Sequence, residues 1–356
     1  MKALLVLNPR DTGGSERRAK TWRSLLRHVD CDVIEHRLSL DTPSVSSVLR
    51  TARQVISGTG VPEVALLDVV TLNNILHAEA PDLLVLQTAR VYSPNVVTDA
   101  TVVLDFVDEL SRSYEQRAAS APAHTRPLFK LLGATHRRFE RRPAQGCEVI
   151  RVAAGKSCAA ALDATWIPNI VDETPAPTTP WGERLFDLVF FGSLDYPPNI
   201  EALEFLAKAD TAGLNTLVAG RQPGSAVKAL CETNGWTLET NFESTASLAE
   251  RARIAVAPLT SVVGIQNKVL EAAAHGLPQI ATPATLKGLG PKFPAHAVTK
   301  PAELRKAIDS LLLDPIAAEQ LGLDAQRAVR ENFSAEAWAD VVQEHIIGSS
   351  SIRLDR

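Results

Sequence analysis

Short apolar runs alternate with helix-length amphipathic stretches along the whole chain, and this alternation constrains the fold more than any other feature. In the first half the runs are ALLVLN (3–8), CDVIEHRL (31–38), EVALLDV (63–69), LLVLQT (83–88), TVVLDFVD (101–108) and CEVIRVA (147–153). A proline-bearing stretch, NIVDETPAPTTPWGE (169–183), then interrupts the pattern. Pro175, Pro177 and Pro180 withhold the backbone donors that a helix or a central strand needs, so this stretch reads as a linker. The alternation restarts with FDLVFFG (186–192), NTLVAG (215–220), TLET (237–240), RIAVAPL (253–259) and PQIAT (278–282). Strands that alternate with helices imply βαβ units and parallel sheets rather than bundles or sandwiches. The 356 residues also exceed the roughly 250–300 that one hydrophobic core supports. The expectation is an α/β chain of two doubly wound, Rossmann-like domains, 1–172 and 173–335. A carboxyl-terminal helix and tail, 336–356, is expected to return to the first domain. Ligands of such folds settle at the carboxyl ends of the strands, which predicts a site in a cleft between facing domains.

Several function classes are disfavoured at once. With 37 basic against 41 acidic residues and a net charge of −4, the chain lacks the basic footprint of a nucleic-acid binder. Cys31, Cys147, Cys158 and Cys231 show no CxxC spacing, and no signal-peptide pattern precedes the first apolar run. Both features predict a reducing, cytoplasmic setting. No run reaches the 18 or more apolar residues of a membrane span. AAGKS (153–157) imitates the end of a phosphate-binding P-loop, but Ile150 stands where the motif needs its first glycine. The first strand is not followed by GxGxxG, which argues against a dinucleotide-dependent dehydrogenase.

The most informative stretch is IAVAPLTSVVGIQNKVLEAAAHGLPQIAT (254–282). It reads as a strand, a polar loop and a helix beginning near Gly264, followed by a second strand. The first amides of a helix lack intrahelical partners, and the macrodipole places about half a positive charge there, so helix starts attract phosphate. Gly264 permits close backbone approach. Lys268 and Glu271, three apart, share a face: the lysine suits a phosphate and the carboxylate suits ribose hydroxyls. Val269, Leu270, Ala272 and Ala273 form the face suited to packing on the sheet. Spacing alone favours a plain surface ion pair between Lys268 and Glu271.

GIQNKVLEAAAHGLPQIATP resembles the donor-site motif of retaining GT-B-fold glycosyltransferases of family four, in a branch with GIQNKVLEA-type sequences. FFGSLDYPPNIEALEFL (190–206) resembles the family's glycine loop and following helix, VAGRQP (218–223) its next strand end, and WIPNIVD (166–172) its interdomain link. In the first half, PRDTGGSERRA (9–19) resembles the amino-terminal glycine loop, and LDFVDELSRSYEQRA (104–118) a segment typical of this branch.

The resemblance implies a GT-B fold whose second domain binds a nucleotide-diphosphate sugar and whose first binds the acceptor. The reaction implied is sugar transfer with retained anomeric configuration to a small-molecule, lipid-linked or saccharide acceptor. Donor contacts would come from Gly13, Gly14, Gly192, Ser193, Arg221, Gly264, Ile265, Gln266, Asn267, Lys268 and Glu271. Lys268 would neutralise the leaving diphosphate and Glu271 would accept the ribose. Arg90, Asp105 and Asp108 would serve the acceptor, although Asp108 equally suits a cap on a helix starting at Glu109. No metal or cofactor is expected beyond the sugar nucleotide itself, since the helix dipole and Lys268 can carry the charge.

Two departures from the family pattern stand out. Val263 occupies the position of the first of two family glutamates, and the GSLDYPPN loop lacks the cations common there. These departures keep two alternatives open: a non-catalytic GT-B protein that binds a nucleotide sugar or a partner transferase, and a GT-B-fold sugar-nucleotide epimerase. The segment 126–143 carries Arg126, Lys130, Arg137, Arg138, Arg141 and Arg142 against Glu140 alone. It is either a solvated basic face or a peripheral contact at the inner membrane surface. Oligomeric state leaves no mark on the sequence.

Overall fold

The computed structural model describes residues 1–348 apart from 8–12, 40–43, 94–95, 142–148, 172–173, 261, 263–264 and 291. The chain divides into two compact units, Met1–Asn169 with Trp338–Arg356, and Ile170–Ala337.

The first unit holds β1 (Lys2–Leu7), β2 (Asp32–Arg37), β3 (Leu83–Gln87), β4 (Thr101–Asp105), β5 (Val149–Ala153) and β6 (Thr165–Trp166). They form one parallel sheet in the order β2-β1-β3-β4-β5-β6. Central strands are covered on both faces, which is why β1, β3 and β4 read as unbroken apolar runs. Ala3, Leu4, Leu5 and Val6 are wholly buried, as are Leu83, Leu84 and Val85. Edge strand β2 has only half-buried and exposed positions instead.

Residues 63–69, read above as a strand, form a 3-10 turn over Pro62–Leu66. Pro62 starts that turn, and Asp68 caps the next helix, Val69–Glu79, by accepting from the Thr71 amide at 2.9 Å. A helix-starting proline and a helix cap leave too little chain for a strand, and β3 takes the place beside β1.

The second unit holds β7 (Phe186–Ser193), β8 (Thr216–Arg221), β9 (Thr237–Thr240), β10 (Ala252–Ala257), β11 (Gln279–Ala281) and β12 (His296–Ala297). They are parallel, in the order β12-β11-β10-β7-β8-β9. The chain starts in the middle of this sheet, builds outward to β9, then returns to add β10 beside β7. That reversal makes the gap between β7 and β10 a topological switch point, the place where a doubly wound sheet leaves room for a ligand at its strand ends.

The carboxyl-terminal residues from Trp338 cluster with the first unit. The Trp166 and Trp338 rings meet edge to face with centroids 4.9 Å apart, and Val342 and Ile346 are fully buried.

Candidate functional site

The loop after β10 and the end of β7 flank the second unit's switch point, and the 254–282 stretch supplies both the loop and the helix that follows. The helix spans Asn267–Ala274, with Gln266 as its extended N-cap at φ −84 and ψ 101. It therefore begins three residues later than the expected start at Gly264, because the chain is still extended at Gln266. Gly264 and Val263 lie outside the described residues, whereas Ile265 and Gln266 lead directly into the first turn. Val269, Leu270, Ala272 and Ala273 are buried, as their pattern predicts.

Lys268 sits in the first turn of this helix. Its Nζ donates to Asn199 Oδ1 at 2.6 Å and lies 4.3 Å from the centroid of the Phe190 ring. Asn199 Nδ2 in turn donates to the Ser193 carbonyl at 2.7 Å. One buried amide thus ties the helix lysine to the loop after β7, and the aromatic face steadies the ammonium. Gly192 makes this approach possible. Its φ is +148, and a Cβ there would stand 3.0 Å from Asn199 Nδ2 and 3.1 Å from Lys268 Nζ. Ser193 is exposed at the end of β7.

Glu271 lies one turn further along, where its Oε2 accepts from Thr245 Oγ1 at 3.2 Å. Arg221 is exposed at the end of β8, and its carbonyl accepts from the Leu194 amide at 2.9 Å. Asn199, Phe190 and Thr245 did not stand out in the sequence. Asn199 had a signal in Pro197-Pro198-Asn199, a polar residue two prolines into a helix start, but nothing in the spacing joined it to a lysine 69 positions away.

In the first unit, Gly13 and Gly14 open the helix Gly13–His28. Arg18 and Trp22 of that helix converge on Asp105 at the end of β4. Arg18 Nε donates to Asp105 Oδ2 at 2.6 Å, Arg18 Nη2 to Oδ1 at 3.2 Å and Trp22 Nε1 to Oδ2 at 2.7 Å. The Val107 amide adds a bond to Oδ1 at 3.0 Å. Arg18 and Asp105 are both 0% exposed. Asp105 therefore binds the unit's own helix to its sheet, which is the geometry of a structural ion pair rather than of an acceptor contact.

Val107 adopts φ +62, an outlier for a β-branched residue. The Ala154 amide, which donates to the Val107 carbonyl at 3.0 Å, helps hold it there. Asp108 follows, half-buried. Burial pushes its carboxyl up to about 6, with the neighbouring Asp105 charge adding to the shift and Arg18 opposing it. Asp108 does not cap the next helix, which is Leu110–Ser120 with Glu109 at its N-cap position. The Ser111 amide of that helix instead donates to Glu140 Oε1 at 3.1 Å.

Arg90 follows β3, beyond Thr88 at φ +79. Its Nε lies 3.3 Å from Glu63 Oε1 and its Nη2 3.4 Å from the Tyr114 hydroxyl, which itself donates to Glu63 Oε1 at 2.9 Å. His136 Nε2 approaches Glu63 Oε2 at 3.4 Å. Burial works against the Glu63 charge, but His136 and Arg90 outweigh it and hold the carboxyl down to about 2. Arg90 is thus oriented by a charged network and remains partly exposed. Among the described residues no group of three or more His, Cys, Asp or Glu side chains is placed to hold a metal.

Comparison with known proteins places this geometry. Residues 186–314, within the second unit, match the family model described as Glycosyl transferases group 1. No curated protein matches the chain. Among solved structures, sucrose-phosphate synthase from Thermosynechococcus elongatus superposes with a TM-score of 0.68 at 15% identity, covering 99% of each chain. HepE from Anabaena, in complex with UDP and glucose, gives 0.65 at 14% identity over 97% of this chain and 98% of its own. A glycosyltransferase from Rickettsia africae gives 0.61 at 13% identity over 97% and 98%.

The chain has the GT-B fold.

Two six-stranded parallel sheets, each in its own α/β unit, are the two halves of that GT-B architecture. In the second half, the Lys268, Glu271, Gly192 and Ser193 cluster occupies the switch-point end of the sheet. Residues 186–314 thus match a glycosyltransferase family model inside a chain whose whole fold is shared with the solved neighbours.

Proposed function

We propose that this protein is a retaining glycosyltransferase that takes a sugar from a nucleotide-diphosphate donor held at the switch point of its second unit. The observation that carries the proposal is the Lys268–Asn199–Ser193 connection packed against Gly192, where a Cβ would stand 3.0 Å from Asn199 Nδ2 and 3.1 Å from Lys268 Nζ. It fixes a cation at the first turn of a helix, beside the end of β7, where a diphosphate would meet both the ammonium and the helix dipole.

Glu271 accepts the ribose hydroxyls in this reading, using the carboxylate that Thr245 now partners. Residues around Ile265 to Asn267 cradle the diphosphate, and Arg221 serves the base or diphosphate. Fixed positive charge that meets negative charge as it develops on the departing diphosphate lowers the barrier without a covalent step by the protein. Lys268 and the helix dipole supply that charge without a metal. Arg90 and Asp108 orient the acceptor, while Asp105 contributes by holding Arg18 and the loop before Asp108.

The test is product analysis with UDP-, GDP- and dTDP-sugars and a panel of hydroxylated acceptors, with and without a chelator. A glycoside whose anomeric configuration matches the donor, formed equally with the chelator present, is the expected result. A rearranged sugar nucleotide would replace the proposal with epimerisation. Nucleotide binding without turnover across the panel would favour a non-catalytic binding role.

A further inference from the structure

Behind Arg90 lies a buried histidine whose two ring nitrogens both face oxygen atoms. His136, on the helix Arg126–Glu140, is 0% exposed. Its Nδ1 sits 2.8 Å from the Leu132 carbonyl oxygen, one turn back, and a carbonyl can only accept, so Nδ1 carries a hydrogen. Its Nε2 faces Glu63 Oε2 at 3.4 Å, and neither of these buried atoms has a hydrogen-bond partner among the described residues. In a neutral ring, Nε2 would direct a lone pair at the carboxylate, which is repulsive. A second proton, on Nε2, makes the contact a buried ion pair.

Glu63 carries the consequence outward. Its Oε1 holds Arg90 Nε at 3.3 Å and accepts from the Tyr114 hydroxyl at 2.9 Å. The Tyr114 and His136 rings meet with centroids 4.9 Å apart. Tyr114 stays neutral, since burial and the Glu63 charge raise its hydroxyl above the ordinary value. Other charges on the surrounding elements are engaged elsewhere: Arg117 lies over the Tyr114 ring at 5.7 Å, Glu115 pairs with Arg137, and Glu140 accepts from the Ser111 amide. Helix Val45–Ser57 turns only the uncharged Thr51 and Gln54 inward. With His136 protonated, two cations stand against one carboxylate and the group is net positive; with a neutral ring it has no net charge. Arg90, its side chain 30% exposed, presents that charge beyond the end of β3, next to Ala89 and the left-handed Thr88 at φ +79.

We infer that Glu63, Tyr114 and His136 are positioning residues that form a proton-linked holder for Arg90, which offers net charge to an anionic group of the acceptor only while His136 carries both ring protons. A bound anion favours the protonated ring, and the protonated ring favours the anion, so the two equilibria are coupled by one factor. Loss of the proton leaves Glu63 to neutralise Arg90 alone, and anion affinity falls as pH rises through the histidine titration. The ligand assignment rests on the reading of Arg90 as an acceptor residue; the proton linkage is measured without turnover.

Sulfate is the probe, because its charge is constant between about pH 5.5 and pH 8.5, across which a histidine titrates. Asp108 also titrates at about 6, so the measurements are made in Asp108→Asn as well as in the unaltered chain, at constant ionic strength. Sulfate should bind about fivefold more tightly at the low end of the range, and saturating sulfate should raise the His136 midpoint in ring NMR by about 0.7 pH unit, the same factor by linkage. His136→Gln should keep one weak affinity across the range, and Arg90→Gln should lose binding at every pH. In turnover, KM for an anionic acceptor should rise with pH by a similar factor while KM for a neutral one does not follow it. An unmoved His136 midpoint under sulfate, read in the unaltered chain and so independent of how any variant folds, would overturn the inference. Sulfate binding to Arg90→Gln as to wild type would do the same. A midpoint moved by UDP and not by sulfate would give Arg90 to the donor diphosphate and overturn the acceptor assignment. A sulfate-shifted midpoint without any transfer product would support the holder and overturn only the transferase reading.

Discussion

Lys268 Nζ stands 2.6 Å from Asn199 Oδ1, and that bond joins two segments 69 residues apart at the end of a parallel sheet. Asn199 is 4% exposed and also donates to the Ser193 carbonyl, so it positions the lysine without needing to reach a ligand. Asn199→Ala should remove the amide that fixes Lys268 Nζ. A hydrogen bond to a charged group contributes about 1.5–3 kcal/mol, so nucleotide-diphosphate affinity should fall roughly 10- to 100-fold. Titration calorimetry with the preferred nucleotide measures this. Unchanged affinity in a folded variant would show that Lys268 needs no such support.

Backbone packing beneath the same site predicts two glycine effects of different size. A Cβ on Gly220 in β8 would lie 1.9 Å from the Gly192 carbonyl oxygen and 2.8 Å from Leu194 Cγ, and the Gly192 backbone, held in the sheet beside Gly220, cannot give way. Gly220→Ala should therefore destabilise the second unit by about 3 kcal/mol or more. At Gly192 the obstacle is φ +148 and two side-chain nitrogens, so Gly192→Ala should cost about 1–3 kcal/mol and displace Lys268. Urea denaturation with nucleotide titration separates them: Gly220→Ala loses stability first, Gly192→Ala loses binding more than its stability loss explains.

The Arg18–Asp105 pair has both partners at 0% exposure, and its further hydrogen bonds, to Trp22, Val107, Ile167 and Asn169, are internal to the first unit. Removing one partner leaves an uncompensated buried charge. Asp105→Ala should destabilise the first unit by about 3–5 kcal/mol, and because no solvent reaches the pair, the loss should change little between low and high salt. A loss under about 1 kcal/mol in chemical denaturation would mean that the pair is open to water.

Asp108 and Glu63 should give the first unit opposite pH dependences. The Asp108 carboxyl rises from its ordinary 3.8 to about 6, so between those values the folded state binds more protons than the unfolded state. Stability then falls as pH climbs from about 4 to 6. Asp108→Asn should stabilise the protein at pH 7 by on the order of 1–2 kcal/mol, because water at a half-buried group softens the full effect, and should do little below pH 4. Glu63 is the reverse case, held to about 2 against an ordinary 4.5. Its contribution is present above pH 4.5 and is lost as pH falls toward 2, so Glu63→Gln should destabilise at pH 7 by about 1–3 kcal/mol. Denaturation midpoints of both variants between pH 3 and pH 8 check the slopes.

The strand pattern was legible because strands covered on both faces are apolar through their middles, as in Ala3–Leu7 of β1, Leu83–Leu86 of β3, Val102–Leu104 of β4, Leu188–Phe191 of β7 and Ile254–Ala257 of β10. Residues 63–69 misled because apolar content does not tell a buried turn from a strand, and only Pro62 and Asp68 pointed to helix ends. The two-residue strands Thr165–Trp166 and His296–Ala297 are too short to show a pattern at all. Near the site, local spacing marked Lys268 and Glu271 as neighbours on a helix. Their partners Asn199 and Thr245 come from other βαβ units, and a sequence period carries no information about which unit lies alongside. Asp105 looked like a ligand group at a strand end because Arg18 and Trp22, its partners from 83 to 87 residues away, are ordinary helix residues in sequence.

Thr245 Oγ1 donates to Glu271 Oε2 at 3.2 Å across two helices, which holds the carboxylate in place before any ligand arrives. If Glu271 accepts the ribose, nucleotide binding should stabilise wild type and not Glu271→Ala. At about 100 times its dissociation constant a ligand adds roughly 2.7 kcal/mol, a shift readily seen in thermal unfolding. Thr245→Val keeps the carboxylate but removes its neutral donor, so the shift should persist at reduced affinity, by about tenfold or less. A nucleotide shift that survives intact in Glu271→Ala would detach the ribose from this residue and leave Glu271 a structural role beside Thr245.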